Sequence, residues 1–205
     1  MKVVKFILLL IYGLSFELAF LVYADYHASV DDLSTIVAKP VNNYNYHNAN
    51  HHAHWQTGSV VDVYLDPDVN NDTKLGMQDA INKWNKAGVV NLEITPDPNN
   101  ADITVRNGLL SAPHSIVFGL TEEKASPVRM LQDRITINSN AIQKHHQEDN
   151  LTVAQYTDMV CTHELGHALG LEHVTDGTNS VMQPGTDKNI QPYDIQRLRM
   201  LYNNN

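Results

Sequence analysis

The chain has 205 residues, of which 23 are acidic and 14 are basic, and its formal net charge is −9 at pH 7. An acidic chain gives no electrostatic support for binding to nucleic acid, so we expect no nucleic-acid partner. Cys161 is the single cysteine, which excludes an intramolecular disulfide, and we expect it to be buried and inert.

The first residues of the chain have the pattern of a secretory signal. Two lysines precede a largely apolar run at residues 6–23, and Ala24 follows at a suitable cleavage position. The alternative is an uncleaved anchor, because the run approaches the length of a short membrane span, although Glu17 within it favours removal. We predict a signal peptide at residues 1–24 and a secreted protein, with anchoring to the outer face of the membrane as the alternative.

A polar, asparagine-rich segment follows at residues 25–53 and contains most of a histidine cluster at 47–54. This composition predicts a flexible lead-in or a short prosegment, and a solvated tract is favoured over a loose metal site. The character of the sequence changes around Trp55. We therefore place a single domain at residues 54–205 and expect a monomer.

Within this domain the sequence predicts a strand, a helix and then more strands. Residues 59–65 are rich in β-branched side chains, which favours the first strand. Asp72 can cap a helix that runs to about Ala87, and Gly88 follows its end. Further short strands are predicted at 91–95, 101–106, 116–120 and 134–138.

Two helices are predicted in the last third of the chain. Asn150 or Thr152 can cap a helix that continues to Leu169. Pro192 occupies a good first position for a closing helix with one apolar face.

The first of these two helices carries the most informative motif of the chain. His163 and His167 are four residues apart, so they project from one face of a helix and can offer ring nitrogens to one metal ion. Gly170 can adopt a positive φ at low cost, which ends the helix and turns the chain. His173 can then reach the same metal from another direction.

One carboxylate in the motif indicates a catalytic rather than a structural zinc site. A structural zinc is closed by four protein ligands, whereas three histidines leave a position open for water. Glu164 follows the first ligand, where a carboxylate can hydrogen-bond that water and take its proton. We therefore predict one catalytic Zn²⁺ on His163, His167 and His173, with Glu164 as the catalytic residue.

The sequence HELGHALGLEH at residues 163–173 resembles the extended zinc signature of the metzincin metallopeptidases. Its first nine residues are similar to the matrixin branch, which includes the catalytic domains of matrix metalloproteinases. Residues 180–184 resemble the Met-turn of that clan, with Met182 as the methionine beneath the zinc. Gln183 and Pro184 stand where other branches carry a tyrosine, which favours the matrixin branch, although Val174 replaces the serine usual in matrixins.

The resemblance implies an α+β fold of the metzincin type. Its parts are a twisted, mostly parallel sheet with one antiparallel edge strand, an active-site helix, the Met-turn and a C-terminal helix. Gly170 and Met182 are expected to shape the site. The resemblance also implies that Asp194 supports the Met-turn, and a simple partner for the helix dipole is the alternative.

Matrixins often carry a second, structural zinc and calcium ions. His114 is the only histidine in the matching region, so we predict no second zinc. Calcium is permitted by the resemblance, but nothing in the sequence supports it.

We predict a secreted zinc-dependent endopeptidase that hydrolyses peptide bonds of a protein or peptide substrate through a water activated by glutamate. The resemblance implies that substrate lies extended along a sheet edge and that Pro184 and the residues up to about 189 wall a side-chain pocket. The expected edge residues are Val117, Phe118, Gly119, Leu120 and Thr121. The alternatives are a non-catalytic zinc-binding adhesion or interaction module of the same fold, and a narrowly specific processing or lytic peptidase.

Overall fold

The computed structural model describes residues 53–112, 116–125, 129–184 and 189–203. The predicted signal peptide and nearly all of the predicted lead-in lie outside these residues, as does His114. The chain divides into two units, and all the described helices and strands belong to the one formed by residues 41–110 and 117–205. In the described part of the chain, no helix is both long and apolar enough to cross a membrane.

Five strands form one sheet with the order β2-β1-β3-β5-β4. Strand β1 pairs in parallel with β2 and β3, and β3 pairs in parallel with β5. Strand β4 pairs with β5 in the antiparallel sense and lies at the edge. The strands are β1 (Val60–Leu65), β2 (Asn91–Ile94), β3 (Ile103–Asn107), β4 (Gly119–Ala125) and β5 (Met130–Ile137). The mostly parallel sheet with one antiparallel edge strand is therefore confirmed.

Four α-helices and one short 3-10 helix accompany the sheet in the described residues. Helix α1 lies between β1 and β2, and the other helices follow β5. They are α1 (Asn71–Lys86), α2 (Ser139–His145), the 3-10 helix His146–Asp149, α3 (Val153–Ala168) and α4 (Pro192–Asn203).

Several boundaries differ from the sequence predictions, among them those of α1, β4 and β5. Asn70, not Asp72, caps α1, because its Oδ1 accepts a hydrogen bond of 2.8 Å from Thr73 N. Strand β4 begins three residues later than predicted and extends to Ala125, and β5 begins four residues earlier than predicted, at Met130. Both shifted strands contain polar runs, so their extent is set by backbone pairing with each other and not by an apolar pattern.

The core lies between one face of the sheet and helices α1 and α3. Alternate residues of β1, β3 and β5 are buried there, as the period of a strand requires. Trp84 of α1 is fully buried, and its Nε1 donates a hydrogen bond of 3.0 Å to Thr162 O of α3. The principal residues are Val61, Val63, Met77, Trp84, Ile103, Val105, Ile135, Ile137 and Leu165.

The two helices approach each other closely beside Trp84. A Cβ on Gly76 would lie 3.1 Å from Asp158 N, so the backbone of α3 packs directly against α1 at this point. Lys83 also pairs with Asp158, with 2.5 Å between Nζ and Oδ2. These contacts fix α3 against α1.

One carboxyl group is buried on the core face of the sheet. Asp133 of β5 is 1% exposed and occupies the same face as Ile135 and Ile137. Its Oδ1 accepts a long hydrogen bond of 3.4 Å from Lys124 N, and Oδ2 has no hydrogen-bond partner within the described structure. Burial, and next the nearby Glu123, raise the pKa of this carboxyl well above its ordinary value.

Replacing Asp133 with asparagine should make the stability of the protein less dependent on pH. The folded state binds a proton at Asp133 more tightly than the unfolded state does, so the contribution of this residue to stability falls as pH rises above about 4. The amide is uncharged at every pH, so we expect the effect of Asp133→Asn on the free energy of unfolding to be more favourable by about 1–2 kcal/mol at pH 7.5 than at pH 4. Urea unfolding at both pH values measures this, with Asp79→Asn on the exposed face of α1 as the control. A change of equal size at both pH values would contradict it.

Candidate metal centre

Helix α3 begins and ends with well-defined capping interactions, which fix the position of its functional residues. Thr152 Oγ1 accepts a hydrogen bond of 3.2 Å from Gln155 N, and Gln155 Oε1 accepts one of 2.9 Å from Thr152 N. Because of this capping box, the N-cap residue of α3 is Thr152 and not Asn150. The helix ends at Ala168, so His163, Glu164 and His167 all lie in its last two turns.

The chain turns sharply at Gly170, which has a φ of +91°. A Cβ at this position would lie 2.8 Å from Ala53 O and from Leu201 Cδ2. Glycine is therefore required for the conformation and for the space. The turn brings His173 back toward the helix.

The three imidazoles converge on one point. The Nε2 atoms are separated by 3.1 Å between His163 and His173, by 3.2 Å between His163 and His167, and by 3.2 Å between His167 and His173. Within the described residues, this is the one group of at least three histidine, cysteine or acidic side chains that could hold a metal ion.

Backbone carbonyl groups determine the tautomers of two of these rings. His163 Nδ1 lies 2.8 Å from Val181 O, and His167 Nδ1 lies 2.8 Å from Leu171 O. A carbonyl oxygen only accepts, so each Nδ1 carries the proton and each Nε2 presents a lone pair. Burial also lowers the pKa of His163, which favours the neutral form that binds metal.

This arrangement fits a zinc ion. Lone pairs of neighbouring imidazoles that face one another at this separation repel unless a cation lies between them. A tetrahedral zinc with Zn–N distances of about 2.0–2.1 Å separates its nitrogen ligands by about 3.3 Å, close to the spacing of these Nε2 atoms. The donors are three imidazoles, a set that is typical of catalytic zinc.

A buried carboxyl group lies beside the three histidines. Glu164 is 5% exposed, and Thr121 Oγ1 of β4 lies 2.8 Å from its Oε2. Burial raises the pKa of Glu164 to about 7 in the metal-free protein, while the hydrogen bond from Thr121 opposes that change. Without metal, this group is therefore partly protonated at neutral pH, and a cation held by the neighbouring histidines would favour its ionised form.

Met182 is fully buried and packs on the helix between the two helical histidines. A Cβ on Gly166 would overlap the sulfur of Met182, so a glycine at this position makes room for the methionine. Val174 N donates a hydrogen bond of 2.9 Å to Met182 O. The segment that contains Met182 is thereby joined to the residue that follows His173.

Asp194 of α4 is fully buried and binds the same segment. Val181 N and Gln191 N donate to its Oδ2 at 3.0 and 2.8 Å, and the Ser180 hydroxyl donates to Oδ1. Val181 is the residue whose carbonyl group orients His163. Asp194 is therefore linked to His163 through the backbone of Val181.

Cys161 is also buried in α3, as expected from the sequence. Burial raises the pKa of its thiol above the ordinary value, so the thiol stays protonated at neutral pH.

The family model named Matrixin matches residues 64–203 of this chain, which is about two thirds of its length. The chain belongs to the matrixin family. Matrixin membership makes it a zinc metalloendopeptidase that acts on protein or peptide substrates, and it confirms the predicted family, activity class and zinc cofactor.

A solved structure with a similar fold is that of high choriolytic enzyme 1, a hatching enzyme zinc-protease from the medaka fish Oryzias latipes. It has 13% sequence identity to this matrixin and a TM-score of 0.50, and the match covers 74% of this chain and 94% of the other. At this identity the likeness shows the fold. No curated protein has a sequence that matches this matrixin significantly.

The residues predicted to bind substrate in this matrixin fall into three groups. Val117 and Phe118 precede β4, and their carbonyl groups accept hydrogen bonds of 2.8 Å from Asn138 Nδ2 and N. The β4 residues Gly119, Leu120 and Thr121 begin the edge strand. Pro184 is buried near Met182, and most of the predicted pocket wall, at 185–188, lies outside the described residues.

Sequence reasoning missed three contacts of this matrixin site. The carbonyl groups of Val181 and Leu171 orient the histidines, but a backbone group leaves no signal in a sequence. The contact of Thr121 with Glu164 joins an edge strand to a helix 43 residues away, so no local pattern indicates it.

Replacing Asp194 with asparagine should weaken zinc binding. Three donors converge on this carboxylate, and an asparagine amide replaces one acceptor oxygen with a further donor, which leaves at least one buried donor unpaired. We expect about a 10–100-fold loss of zinc affinity, because the orientation of His163 depends on Val181. Competition with a fluorescent chelator measures this. Asp176→Asn is the control, since Asp176 is exposed, and an unchanged affinity in Asp194→Asn would contradict the prediction.

Proposed function

We propose that this matrixin is a secreted endopeptidase in which His163, His167 and His173 hold the catalytic zinc and Glu164 is the general base. The observation that carries the proposal is the convergence of three imidazole Nε2 atoms next to a buried carboxyl group. Three ligands leave one position open on a tetrahedral ion, which distinguishes a catalytic site from a closed structural one.

When zinc is bound, it supplies a Lewis acid that polarises the scissile carbonyl group and lowers the pKa of a water molecule. Glu164 accepts the proton of that water. Its Oε2 is engaged by Thr121, so Oε1 is the oxygen available to take the proton and later to give it to the departing amine. The buried position of Glu164 excludes bulk water from this transfer.

The outer edge of β4 is the proposed place of the substrate backbone. Strand β4 is an edge strand, so its outward N–H and C=O groups are directed away from β5 and can pair with an extended peptide. Gly119 and Thr121 are the residues of this strand that lie against Glu164. A peptide paired there would present its scissile bond to the general base.

The proposed route of the protein to its substrate is secretion, and it is supported by the signal pattern of residues 1–24. Residues 25–53 would then be a lead-in or short prosegment, and residues 54–205 the peptidase domain, acting as a monomer. N-terminal sequencing of protein recovered from the culture medium tests this division. A chain that retains residues 1–24 and sediments with membranes would support the anchored form.

The activity is tested with casein and a random peptide library, each incubated with the purified protein with and without a zinc chelator. Glu164→Ala is analysed beside the wild type by mass spectrometry. We expect broad cleavage by the wild type, none with the chelator and none by the variant. If zinc is bound but the wild type and Glu164→Ala give the same peptide products, the general-base proposal fails and a non-catalytic role for the site is favoured. Cleavage of only a few sequences would indicate the narrowly specific peptidase.

A further inference from the structure

The hydroxyl group of Thr121 contacts Glu164 at two places. Thr121 Oγ1 lies 2.8 Å from Glu164 Oε2 and 2.9 Å from Glu164 O. Thr121 is in β4, and Glu164 is in α3, so this one hydroxyl joins the edge strand to the helix that carries the histidines.

Next to this contact, a glycine leaves room for the carboxyl group of Glu164. A Cβ on Gly119 would lie 2.5 Å from Glu164 Oε1 and 2.7 Å from Glu164 Cδ. Both distances are shorter than a Cβ atom comes to other heavy atoms in proteins. Gly119 and Thr121 are two residues apart in a strand, so they face the same side, toward the helix. The carboxyl group of Glu164 therefore packs on β4 between Gly119, which has no side chain, and the hydroxyl group of Thr121.

We propose that Thr121 is a positioning residue for Glu164, holding its Oε2 on the edge strand so that Oε1 is left to take the proton of the reacting water. This inference rests on the proposed role of Glu164 as general base. The same strand would then orient the base through a side chain and the substrate through its backbone. The base and the scissile bond would be aligned by one rigid element, which is the condition for efficient proton transfer.

A threonine suits this task because a hydroxyl group both donates and accepts hydrogen bonds. It can donate to Oε2 when the carboxylate is ionised. When the carboxyl group carries the proton on Oε1, the hydroxyl can still donate to Oε2 or to Glu164 O, 2.9 Å away. Valine has almost the same shape and can do neither.

The test is steady-state kinetics of the zinc-loaded full-length protein on a cleaved peptide, comparing Thr121→Val, Thr121→Ser and wild type. We expect Thr121→Val to lower kcat about 10–100-fold, as the loss of a hydrogen bond to a charged group does, with KM changed less than about two-fold. Thr121→Ser should recover activity to within about three-fold of wild type. Thr104→Val on strand β3 is the matched control, since Thr104 is half-buried and distant in sequence from the site.

Three kinetic outcomes would overturn the proposal. An unchanged kcat in Thr121→Val would remove the need for the hydroxyl. A higher KM with an unchanged kcat would assign Thr121 to substrate contact, and an equal loss in Thr121→Ser would assign it to packing. If Thr121→Val does not fold, as judged by its thermal transition and zinc content, Thr121→Ala takes its place in the same comparison.

A second measurement does not depend on activity. Urea midpoints of the metal-free protein are compared for Thr121→Val, Glu164→Ala and the double variant. Contact between the two side chains predicts that the shift of the double variant differs from the sum of the single shifts, and additive shifts would contradict the proposal.

The same experiments separate this inference from the proposed function. Loss of activity in Glu164→Ala together with full activity in Thr121→Val refutes the positioning role alone. Full activity in Glu164→Ala refutes both.

Discussion

Replacing Glu164 with glutamine should lower kcat/KM about 10³-fold while zinc remains bound. Glutamine keeps the shape of the side chain and its hydrogen bond with Thr121, but its amide cannot accept the proton of water. A general base contributes about 10²–10⁴-fold to rate, which sets the size of the effect. The measurements are peptide cleavage and zinc content of the same preparation.

Glu93→Gln is the matched control for this prediction. Glu93 is an exposed glutamate on β2, at the sheet edge opposite to β4, and its replacement should leave kcat/KM unchanged. Activity in Glu164→Gln that equals that of Glu93→Gln would show that the reaction needs no carboxylate at position 164.

The activity should fall on the acid side of neutrality. Glu164 must be ionised to accept a proton, and burial raises its pKa to about 7 in the metal-free protein. A cation held by the neighbouring histidines favours the ionised form, so we expect the acid limb of the kcat/KM profile at a pH below 7. An activity that rises as pH falls from 7 to 5 would contradict a base at this position.

The second large effect is expected from removal of one metal ligand. His167→Ala should lose zinc and lower kcat/KM by more than about 10³-fold, because two imidazoles cannot complete the ligand set of a catalytic zinc. Its stability should also stop responding to zinc. A metal present at about 100 times its dissociation constant stabilises the folded state by about 2.7 kcal/mol.

Thermal unfolding with and without a chelator measures this linkage. The chelator should lower Tm of the wild type and leave Tm of His167→Ala unchanged. His145→Ala is the control, since His145 lies outside the three-histidine cluster and pairs with Glu148. A variant without His167 that still binds zinc in a one-to-one ratio would require a different set of ligands.

The zinc-binding motif could be predicted from the sequence because its geometry is almost wholly local. A helix places residues four apart on one face, and a glycine permits the turn that brings His173 back. Helix α1 and the short apolar strands near it also follow from periodicity. These elements are decided by neighbours in the chain, so a single sequence contains the information.

The edge strand was predicted less well, and the reason is physical. Strand β4 has the sequence GLTEEKA, in which apolar and polar residues do not alternate. Its extent is decided by hydrogen bonds with β5, which any side chain permits. For the same reason the sequence gives no sign that Asp133 of β5 is buried without a full set of partners.

The sequence by itself predicted the family and the zinc cofactor, both of which are confirmed, and it proposed three nitrogen donors and a neighbouring carboxylate for the site. Only the tertiary structure decided which nitrogen of His163 and His167 carries the proton, through the carbonyl groups of Val181 and Leu171. It also brought Thr121 to Glu164. The identity of the ligands depends on side-chain chemistry and local spacing, which a sequence contains. The orientation of the ligands depends on backbone groups and on segments that meet only when the chain has folded.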